Sequence, residues 1–352
     1  MRVVHVSPTY MGPNSLIGGA ERYTTELASA MAQKIPTRLV SFGDRSRREQ
    51  WGPLEVHIYR PLAYIGGLRW NPLSVGFLSS LRDADVIHCH QFASIPTDLS
   101  ILLGSLLRKR VFVTDLGGNA NFSLSYHLPL WKGIRCLLPI SEFSKSLYQK
   151  LPVRARVIYG GVDTERFCPS EDRRQHRLLH VGRILPHKGI HLLLEALPQG
   201  VGLDIVGPAV DESYLRLLQE KAQGKDVQFY THLRDEEMIH RYRLCLATVL
   251  PATLDSGFTT AMESFSCGTP VIAASVGSLP EIIREGLTGF LIPPNNAAAL
   301  RERIETLLAH PSETEAMGRR ARNEALLRFT WSVVVERCLA AYVEENSEEA
   351  KP

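Results

Sequence analysis

The sequence predicts an α/β protein made of two tandem domains, each built on a parallel sheet covered by helices on both faces. Three observations support this class. The 352 residues exceed the usual length of a single domain. Short β-rich runs alternate with longer helical patterns. The alternation lapses once, at residues 160–175, in a stretch rich in Pro, Gly and charge, and then restarts.

In the first half, apolar runs bounded by turn residues predict strands, and longer periodic runs predict helices. The predicted strands are residues 2–6, 37–42, 55–59, 85–90, 111–114, 135–140 and 156–159. The predicted helices are residues 20–33, 95–107 and 141–150, the last with Ser141 as its N-cap. Strands that alternate with helices imply right-handed crossovers and a parallel sheet.

In the second half the same pattern repeats and then becomes helical to the end. The predicted strands are residues 178–181, 203–206, 227–230, 245–250 and 271–274. The predicted helices are residues 188–197, 212–222, 259–267, 297–309, 313–328 and 331–344. Both halves therefore resemble Rossmann-like sheets, which bind ligands beyond the carboxyl ends of their strands. If the two domains face each other, the cleft between them is the expected small-molecule site.

The charge of the chain is nearly balanced but unevenly distributed. Lys and Arg number 40 against 37 Asp and Glu, which gives +3. Residues 1–167 hold 20 basic and 12 acidic residues, whereas the remainder holds 20 and 25. A basic first half favours an anionic partner such as a membrane surface or a phosphorylated acceptor, although scattered solvated Arg would give the same count. We expect no nucleic-acid partner.

The spacing of the cysteines and the length of the apolar runs indicate the cellular compartment of the protein. The six cysteines lie far apart without a Cys-x-x-Cys pair, which argues against a zinc site or disulfide framework and favours a reducing compartment. The apolar run at the N-terminus is too short for a signal peptide, and no run of 18 apolar residues spans a bilayer. We therefore expect a cytoplasmic protein, with peripheral attachment to the inner face of the plasma membrane as an option.

The most informative stretch is residues 255–272, DSGFTTAMESFSCGTPVI. A glycine turn opens a predicted helix, whose first N–H groups have no partner within the helix and so form an anion site. Glu263 lies about one turn further and could accept hydrogen bonds from a vicinal diol such as a ribose. The alternative is an ordinary strand–loop–helix unit with a solvated Glu.

Two further features are expected at carboxyl ends of strands. Gly18 and Gly19 open the first helix and would allow a phosphate or sugar to approach the backbone, although many such loops are only tight turns. Arg183 and Lys188 flank the first strand–helix turn of the second half. Together they could neutralise a diphosphate leaving group. The alternative is two surface cations near a helix start, where a cation is disfavoured without a partner.

These residues resemble, in order along nearly the whole chain, the motifs of a retaining glycosyltransferase of GT-B architecture in the family-four class. The matching segments are GGAER (18–22), VIHCH (86–90), PISEFSKSLY (139–148), GVDTERFCP (161–169), VGRILPHKG (181–189), ESFSCGTPVIAASVGSLPEIIREGLTGFLIPP from residue 263, and FTWSVVVERCLAAY (329–342). The resemblance implies an acceptor-binding domain (1–165), a nucleotide-sugar-binding domain (166–328) and a closing helix (329–352) that crosses back to the first domain.

The resemblance also implies roles for individual residues. Arg183 and Lys188 would hold the diphosphate and act in catalysis together with Asp255, which would contact sugar hydroxyls. The other donor-binding residues would be Gly19, Gly257, Phe258, Thr259 and Glu263. The acceptor side would include Gly18, Asp115 and Asn119. The donor would be a UDP- or GDP-linked sugar, and the acceptor a glycan, a lipid-linked molecule or a small molecule. No metal or other cofactor is expected.

Four positions depart from the family pattern. Asp255 replaces the usual Glu, and Gly257 stands one place before the family's glycine, where this chain has Phe258. Leu116 replaces a frequent His, and Gly160 replaces an Asn. Other histidines, His88, His90 and His127, could substitute for the missing imidazole, but a lone His near a strand end is more often structural.

Other functions stay open. The departures at Leu116 and Asp255 favour, as one alternative, a catalytically silent sugar-nucleotide binder in a polysaccharide-synthesis complex. Another is a GT-B nucleotide-sugar epimerase. A dinucleotide oxidoreductase is disfavoured, because the first strand is not followed by Gly-x-Gly-x-x-Gly and no acidic residue ends a second strand at the required spacing.

Overall fold

The computed structural model describes residues 1–11, 19–116, 123–172, 174–254 and 258–347. The chain divides into two compact units. Unit 1 contains residues 1–160 and the chain from 331 onward, and unit 2 contains residues 161–330. Among the residues that the structure describes, none of the helices combines the length and the hydropathy that a bilayer span requires.

Unit 1 is organised around a seven-stranded sheet. Its elements up to the unit boundary are β1 (Val3–Tyr10), α1 (Gly19–Ala32), β2 (Thr37–Phe42), β3 (Arg47–Trp51), β4 (Leu54–Tyr59), β5 (Ala63–Tyr64), β6 (Pro72–Leu73), β7 (Val86–His90), α2 (Ile95–Leu106), β8 (Arg110–Thr114), β9 (Cys136–Leu137) and α3 (Glu142–Ser146). The strand order is β3-β4-β2-β1-β7-β8-β9, and only the β3–β4 pair is antiparallel. β5 and β6 form a separate two-stranded ribbon.

Unit 2 is organised around a six-stranded parallel sheet in the order β12-β11-β10-β13-β14-β15. Its elements are β10 (Arg177–Val181), α4 (Ile190–Ala196), β11 (Gly202–Val206), α5 (Glu212–Lys221), β12 (Val227–Tyr230), α6 (Asp235–Leu244), β13 (Ala247–Leu250), α7 (Phe258–Ser266), β14 (Val271–Ala274), α8 (Leu279–Ile282), β15 (Gly289–Ile292), α9 (Ala297–Ala309) and α10 (Pro311–Arg328). The order reverses between β10 and β13, so the loops after these two strands emerge side by side at the switch point.

The last helix, α11 (Trp331–Ser347), belongs to unit 1. Its buried residues, among them Val334 and Tyr342, join Leu27 and Met31 of α1 and Phe112 of β8 in one hydrophobic cluster. The indole N–H of Trp331 donates to Glu26 at 2.7 Å. The helix therefore completes the core of this unit rather than lying on its surface.

The predicted α/β class with parallel sheets in two domains is confirmed. The details differ at the edges. β3 was not predicted, because its sequence RREQW is charged, and it pairs as an exposed antiparallel edge. Residues 156–159 form no strand, and the pairing there is a single bridge between Leu137 and Ala155. The predicted cap is confirmed: the Ser141 hydroxyl accepts from the Ser144 N–H at 2.9 Å, but α3 ends at Ser146.

Candidate functional site

The turn after β10 carries both predicted cations. Arg183 is exposed and Lys188 is half-buried. Residues 186–188 form a single 3-10 turn that ends at Gly189, whose φ of 69° is left-handed. The charges of Lys188 and Arg183 both reach His187, since its pKa is lowered by burial and then by each of these cations. The two cations are therefore concentrated around one turn.

This turn is held against the loop after β13. The backbone N–H of Thr253 donates to the carbonyl oxygen of His187 at 2.9 Å. At Gly189, an added Cβ would lie 2.0 Å from the carbonyl oxygen of Pro251, so the two loops touch at a point that only glycine allows. The contact brings the cationic turn beside the segment that leads into α7.

The start of α7 is the second half of the site. The helix begins at Phe258, whose ring is buried and packs edge-on against Phe329, and Thr259 is half-buried in its first turn. First-turn N–H groups have no intrahelical acceptor and favour an anion. Asp255 and Gly257, predicted to contact the donor, lie outside the described residues.

Glu263 is buried in the second turn of α7, with 6% of its surface exposed. The hydroxyl of Tyr242, at the end of α6, donates to its Oε2 at 2.9 Å. Burial raises the pKa of Tyr242, and the Glu263 carboxylate raises it further, so the phenol stays protonated and donates. The alternative of a solvated Glu is therefore wrong: this carboxylate is held in place.

His180, in β10, lies beside the cationic turn. Its Nδ1–H donates to the carbonyl oxygen of Val249 at 2.9 Å. Its Nε2 is buried and has no hydrogen-bond partner among the residues the structure describes. Burial lowers the pKa of His180 to about 4, and the Lys188 charge acts in the same direction against the Val249 hydrogen bond. The ring is therefore neutral, with an acceptor nitrogen left over.

The residues predicted in the first half all belong to unit 1. Gly19 is the exposed first residue of α1, whereas Gly18 and Asn119 lie outside the described residues. The Oδ1 of Asp115 accepts from the Phe92 N–H at 3.1 Å, which ties the loops after β7 and β8 together. Leu116 packs against the hydrophobic cluster of α1 and α11. The position where the family often has His is therefore occupied here by a core-facing leucine.

Three histidines of unit 1 cluster on β1 and β7. Ring nitrogens of His5, His88 and His90 lie within 4.8 Å of one another, a spacing that could hold a metal ion. All three are buried, and burial lowers the pKa of each, to about 3 for His5. Both nitrogens of His88 are engaged, Nε2 with Thr114 at 2.8 Å and Nδ1 with Tyr342 at 2.7 Å.

The remaining bonds in this cluster also serve the core. Nδ1 of His5 lies 2.8 Å from Nε2 of His90, and Nε2 of His5 lies 3.3 Å from the sulfur of Met31. Nδ1 of His90 is buried with no hydrogen-bond partner among the described residues. The structural interpretation is thus the better one for His88, whose two ring nitrogens are both engaged. His127 is exposed and follows a 3-10 turn.

Three residues escaped the sequence reasoning. Tyr242 could not be found, because its partner Glu263 lies 21 positions away on another helix. His180 occupies an ordinary strand position immediately before the motif that carries Arg183. Gln91, immediately after β7, has φ of 144°, a strained conformation for a residue other than glycine. Nothing in its sequence context signals this strain.

The chain matches two family models. Residues 17–166 match "Glycosyltransferase Family 4", and residues 162–324 match "Glycosyl transferases group 1". Among solved structures, the chain is similar to sucrose-phosphate synthase of Thermosynechococcus elongatus, with a TM-score of 0.75 and 21% identity over 99% of both chains. HepE of Anabaena in complex with UDP gives a TM-score of 0.76 and 18% identity over 99% of this chain and 100% of that chain.

Relatives known by sequence match a shorter part of the chain. D-inositol 3-phosphate glycosyltransferase 1 of Catenulispora acidiphila is 30% identical over 224 residues, 56% of this chain and 53% of that protein. Glycogen synthase of Mycobacterium tuberculosis is 26% identical over 230 residues, 62% of this chain and 55% of that protein. The chain thus spans about half the length of these relatives. Because the two family matches together run from residue 17 to residue 324 and the fold agrees with them, the chain belongs to the group 1 glycosyltransferases of GT-B architecture.

Proposed function

We propose that this protein transfers a sugar, with retention of anomeric configuration, from a UDP- or GDP-linked donor to a glycan, lipid-linked or small-molecule acceptor. One observation carries the proposal. The cationic turn of Arg183 and Lys188 is held at the switch point of the unit 2 sheet against the loop after β13, where Gly189 contacts Pro251. The helix that carries Glu263 is the next element after β13. Cations after one strand, and a helix start with a fixed carboxylate after the neighbouring strand, are groups that suit the binding of a nucleoside diphosphate.

In this proposal each group has a separate task. Arg183 and Lys188 neutralise the diphosphate, and the N–H groups of Phe258 and Thr259 share its charge. Glu263 accepts hydrogen bonds from the ribose hydroxyls. Asp255 contacts hydroxyls of the transferred sugar. Because two cations already balance the leaving group, we propose that no metal is required.

The transfer breaks the bond between the anomeric carbon and the diphosphate oxygen. The acceptor hydroxyl oxygen forms the new bond on the same face of the sugar, and its proton passes to the leaving diphosphate. We propose that the acceptor is bound on unit 1 near Gly18, Asp115 and Asn119, and that Gly19 is a donor-binding residue. The strained backbone at Gln91, in the loop that Asp115 holds, supports a functional role for this end of the sheet.

The experiment combines a binding screen with turnover. A thermal-shift panel of UDP- and GDP-linked sugars selects the donor, because a bound donor raises the unfolding temperature. We expect Lys188→Ala and Glu263→Ala each to lower transfer by roughly 100-fold. The matched controls Lys221→Ala and Glu236→Ala change exposed residues of the same unit and should retain activity. Unchanged turnover in both site variants would overturn the proposal, and loss of turnover with EDTA would overturn its metal-free form.

A second candidate is a sugar-nucleotide binder without catalytic activity. It is favoured by Leu116, which is half-buried against the hydrophobic cluster of unit 1 where the family often has an imidazole. Donor binding by calorimetry, with neither transfer nor slow donor hydrolysis for any acceptor, would support it. Isomerised donor formed without acceptor would instead indicate an epimerase.

A further inference from the structure

A basic groove of about 810 Å³ lies in unit 1 between the end of α2, the start of β8 and the turn before β9. Among the described residues that line it, six are cationic and none is acidic. The cations are Arg108, Lys109, Arg110, Lys132, Arg135 and Arg154. We call this site the basic groove.

Two glycines build the groove by allowing close packing. An added Cβ at Gly133 would lie 2.5 Å from the Ser105 hydroxyl and 2.6 Å from Cγ2 of Ile101. An added Cβ at Gly104 would lie 2.4 Å from Cγ2 of Val111. The turn before β9 and the start of β8 therefore press against the last turn of α2, which brings their cations to one place.

Three cations of the groove are available to a ligand. Arg108 and Lys132 are exposed and Lys109 is half-buried, and none of the three has an acidic partner in the described part of the chain. Nζ of Lys132 lies 5.7 Å from the ring centre of Trp131, which also lines the groove. Arg110 donates to the backbone oxygen of Tyr342 rather than to a carboxylate.

The groove is distinct from the expected acceptor region. Arg110 is the first residue of β8, and Asp115 follows its last residue. Five strand residues separate the two ends by about 16 Å. The groove therefore lies at the amino ends of the strands, opposite the edge where ligands of such sheets bind.

An apolar helix face borders the groove. The buried side of α2 includes polar or small residues such as Asp98, Ser100 and Gly104. Its outward side carries Leu102 and Leu106, which are 43% and 78% exposed, and Leu107 follows at 39%. The buried side also holds Ile101, which belongs to the core, so α2 is apolar on both sides. An ordinary surface helix turns polar residues outward instead. Adjacent exposed leucines indicate an interaction surface.

We propose that the basic groove and the leucine face of α2 together dock this protein on an anionic lipid bilayer. Charge complementarity selects the partner, because cations attract anionic headgroups while neighbouring leucines enter the boundary between headgroups and acyl chains. Trp131 suits the same boundary, since its ring is apolar and its N–H is polar. The excess of basic residues in residues 1–167 also favours binding to an anionic surface.

The test is sedimentation of the full chain with vesicles of phosphatidylcholine alone or with 30% phosphatidylglycerol, as roughly the anionic fraction needed for a strong surface potential. No donor is present, so the outcome is independent of the proposed transfer reaction. We expect retention only on anionic vesicles, with loss at high salt. Arg108→Gln/Lys109→Gln/Lys132→Gln should weaken the partition roughly 100-fold. Leu102→Ser/Leu106→Ser should weaken it as well.

The control removes the same charge from exposed positions of unit 1, as Arg45→Gln/Arg48→Gln/Arg82→Gln. We expect it to keep most of the binding, and unchanged melting temperatures should show that every variant is folded. Equal losses in both triple variants would overturn the groove as the docking site. No retention on anionic vesicles would overturn the proposal. The proposal would also be overturned if the protein were a dimer that the leucine variant dissociates without any change in vesicle binding. Binding to an anionic polysaccharide but not to vesicles would overturn it too.

Discussion

The hydroxyl of Tyr242 lies 2.9 Å from Oε2 of Glu263, and both side chains are buried. A carboxylate on a helix can adopt several rotamers, and this hydrogen bond selects one of them. The two residues lie on α6 and α7, so the packing of those helices sets the position of the carboxylate. Tyr242 is therefore a positioning residue for the group that we propose holds the ribose.

We expect Tyr242→Phe to weaken donor binding about tenfold, because a hydrogen bond to a charged group contributes about 1.5–3 kcal/mol and part of it is recovered by relaxation. The effect should appear in the KM for donor more than in kcat, since the chemistry at the anomeric carbon is untouched. Calorimetry measures donor binding, and initial rates give KM and kcat. Tyr214→Phe removes another buried hydroxyl of unit 2, one that bonds to His191, and should leave the KM for donor unchanged. Equal changes in both variants would mean that Tyr242 acts on stability alone.

Local patterns of the sequence predicted the fold and two side chains of the candidate site. Alternating strand and helix patterns identified both sheets, and the carboxyl ends of β10 and β13 identified Lys188 and Glu263. Each of these inferences needs only a few consecutive residues and the rule for parallel sheets.

Contacts between distant residues could not be predicted in this way. The contact of Gly189 with Pro251 joins residues 62 positions apart, and the sequence around Gly189 does not distinguish it from other glycines at helix starts. The basic groove combines three short segments, none of which alone predicts a groove. The exposure of Leu102 and Leu106 likewise becomes visible only when the buried side of α2 is known.

Gly189 provides the second prediction. Gly189→Ala places a Cβ against the Pro251 oxygen and forces a left-handed φ, so we expect it to lower the free energy of unfolding by about 3 kcal/mol and to weaken donor binding. Gly200→Ala is the matched control, because Gly200 has φ of 79° with no atom within 4 Å of the added Cβ. This control should lower the free energy of unfolding by about 1 kcal/mol and leave donor binding unchanged. Urea unfolding and calorimetry test both, and equal costs would contradict a role for the loop contact.

His180 provides a prediction about pH. Its folded-state pKa of about 4 lies below the ordinary 6.5, so the unfolded chain takes up the proton first as the pH falls. The stability contributed by the neutral ring is complete above pH 6.5 and decreases between pH 6.5 and about 4, by about 2 kcal/mol at pH 5. His180→Asn keeps a donor for the Val249 oxygen and cannot titrate. Between pH 7 and 4.5 its unfolding free energy should depend less steeply on pH, by about one proton, and an unchanged slope would contradict the lowered pKa.

Two buried tyrosines of unit 1 provide a contrasting pair. Tyr342 of α11 bonds to Nδ1 of His88, whereas the hydroxyl of Tyr23 is buried with no hydrogen-bond partner among the described residues. The direction of the first bond follows from its neighbours. The hydroxyl of Thr114 donates to the Leu138 oxygen and so accepts from Nε2–H of His88, which leaves Nδ1 to accept from Tyr342.

Tyr342→Phe should therefore lower the free energy of unfolding by about 1–2 kcal/mol, because it leaves a buried acceptor unsatisfied. Tyr23→Phe should be neutral or stabilising by up to about 1 kcal/mol, because it removes a buried hydroxyl that gains nothing in the fold. Chemical unfolding of both variants at pH 8, where the histidines are neutral in folded and unfolded chains alike, isolates the hydrogen-bond contribution. If Tyr23→Phe proved the more costly change, the hydroxyl of Tyr342 would not be what fastens α11 to the sheet, and the docking of that helix would have to rest on its apolar contacts with α1 and Phe112.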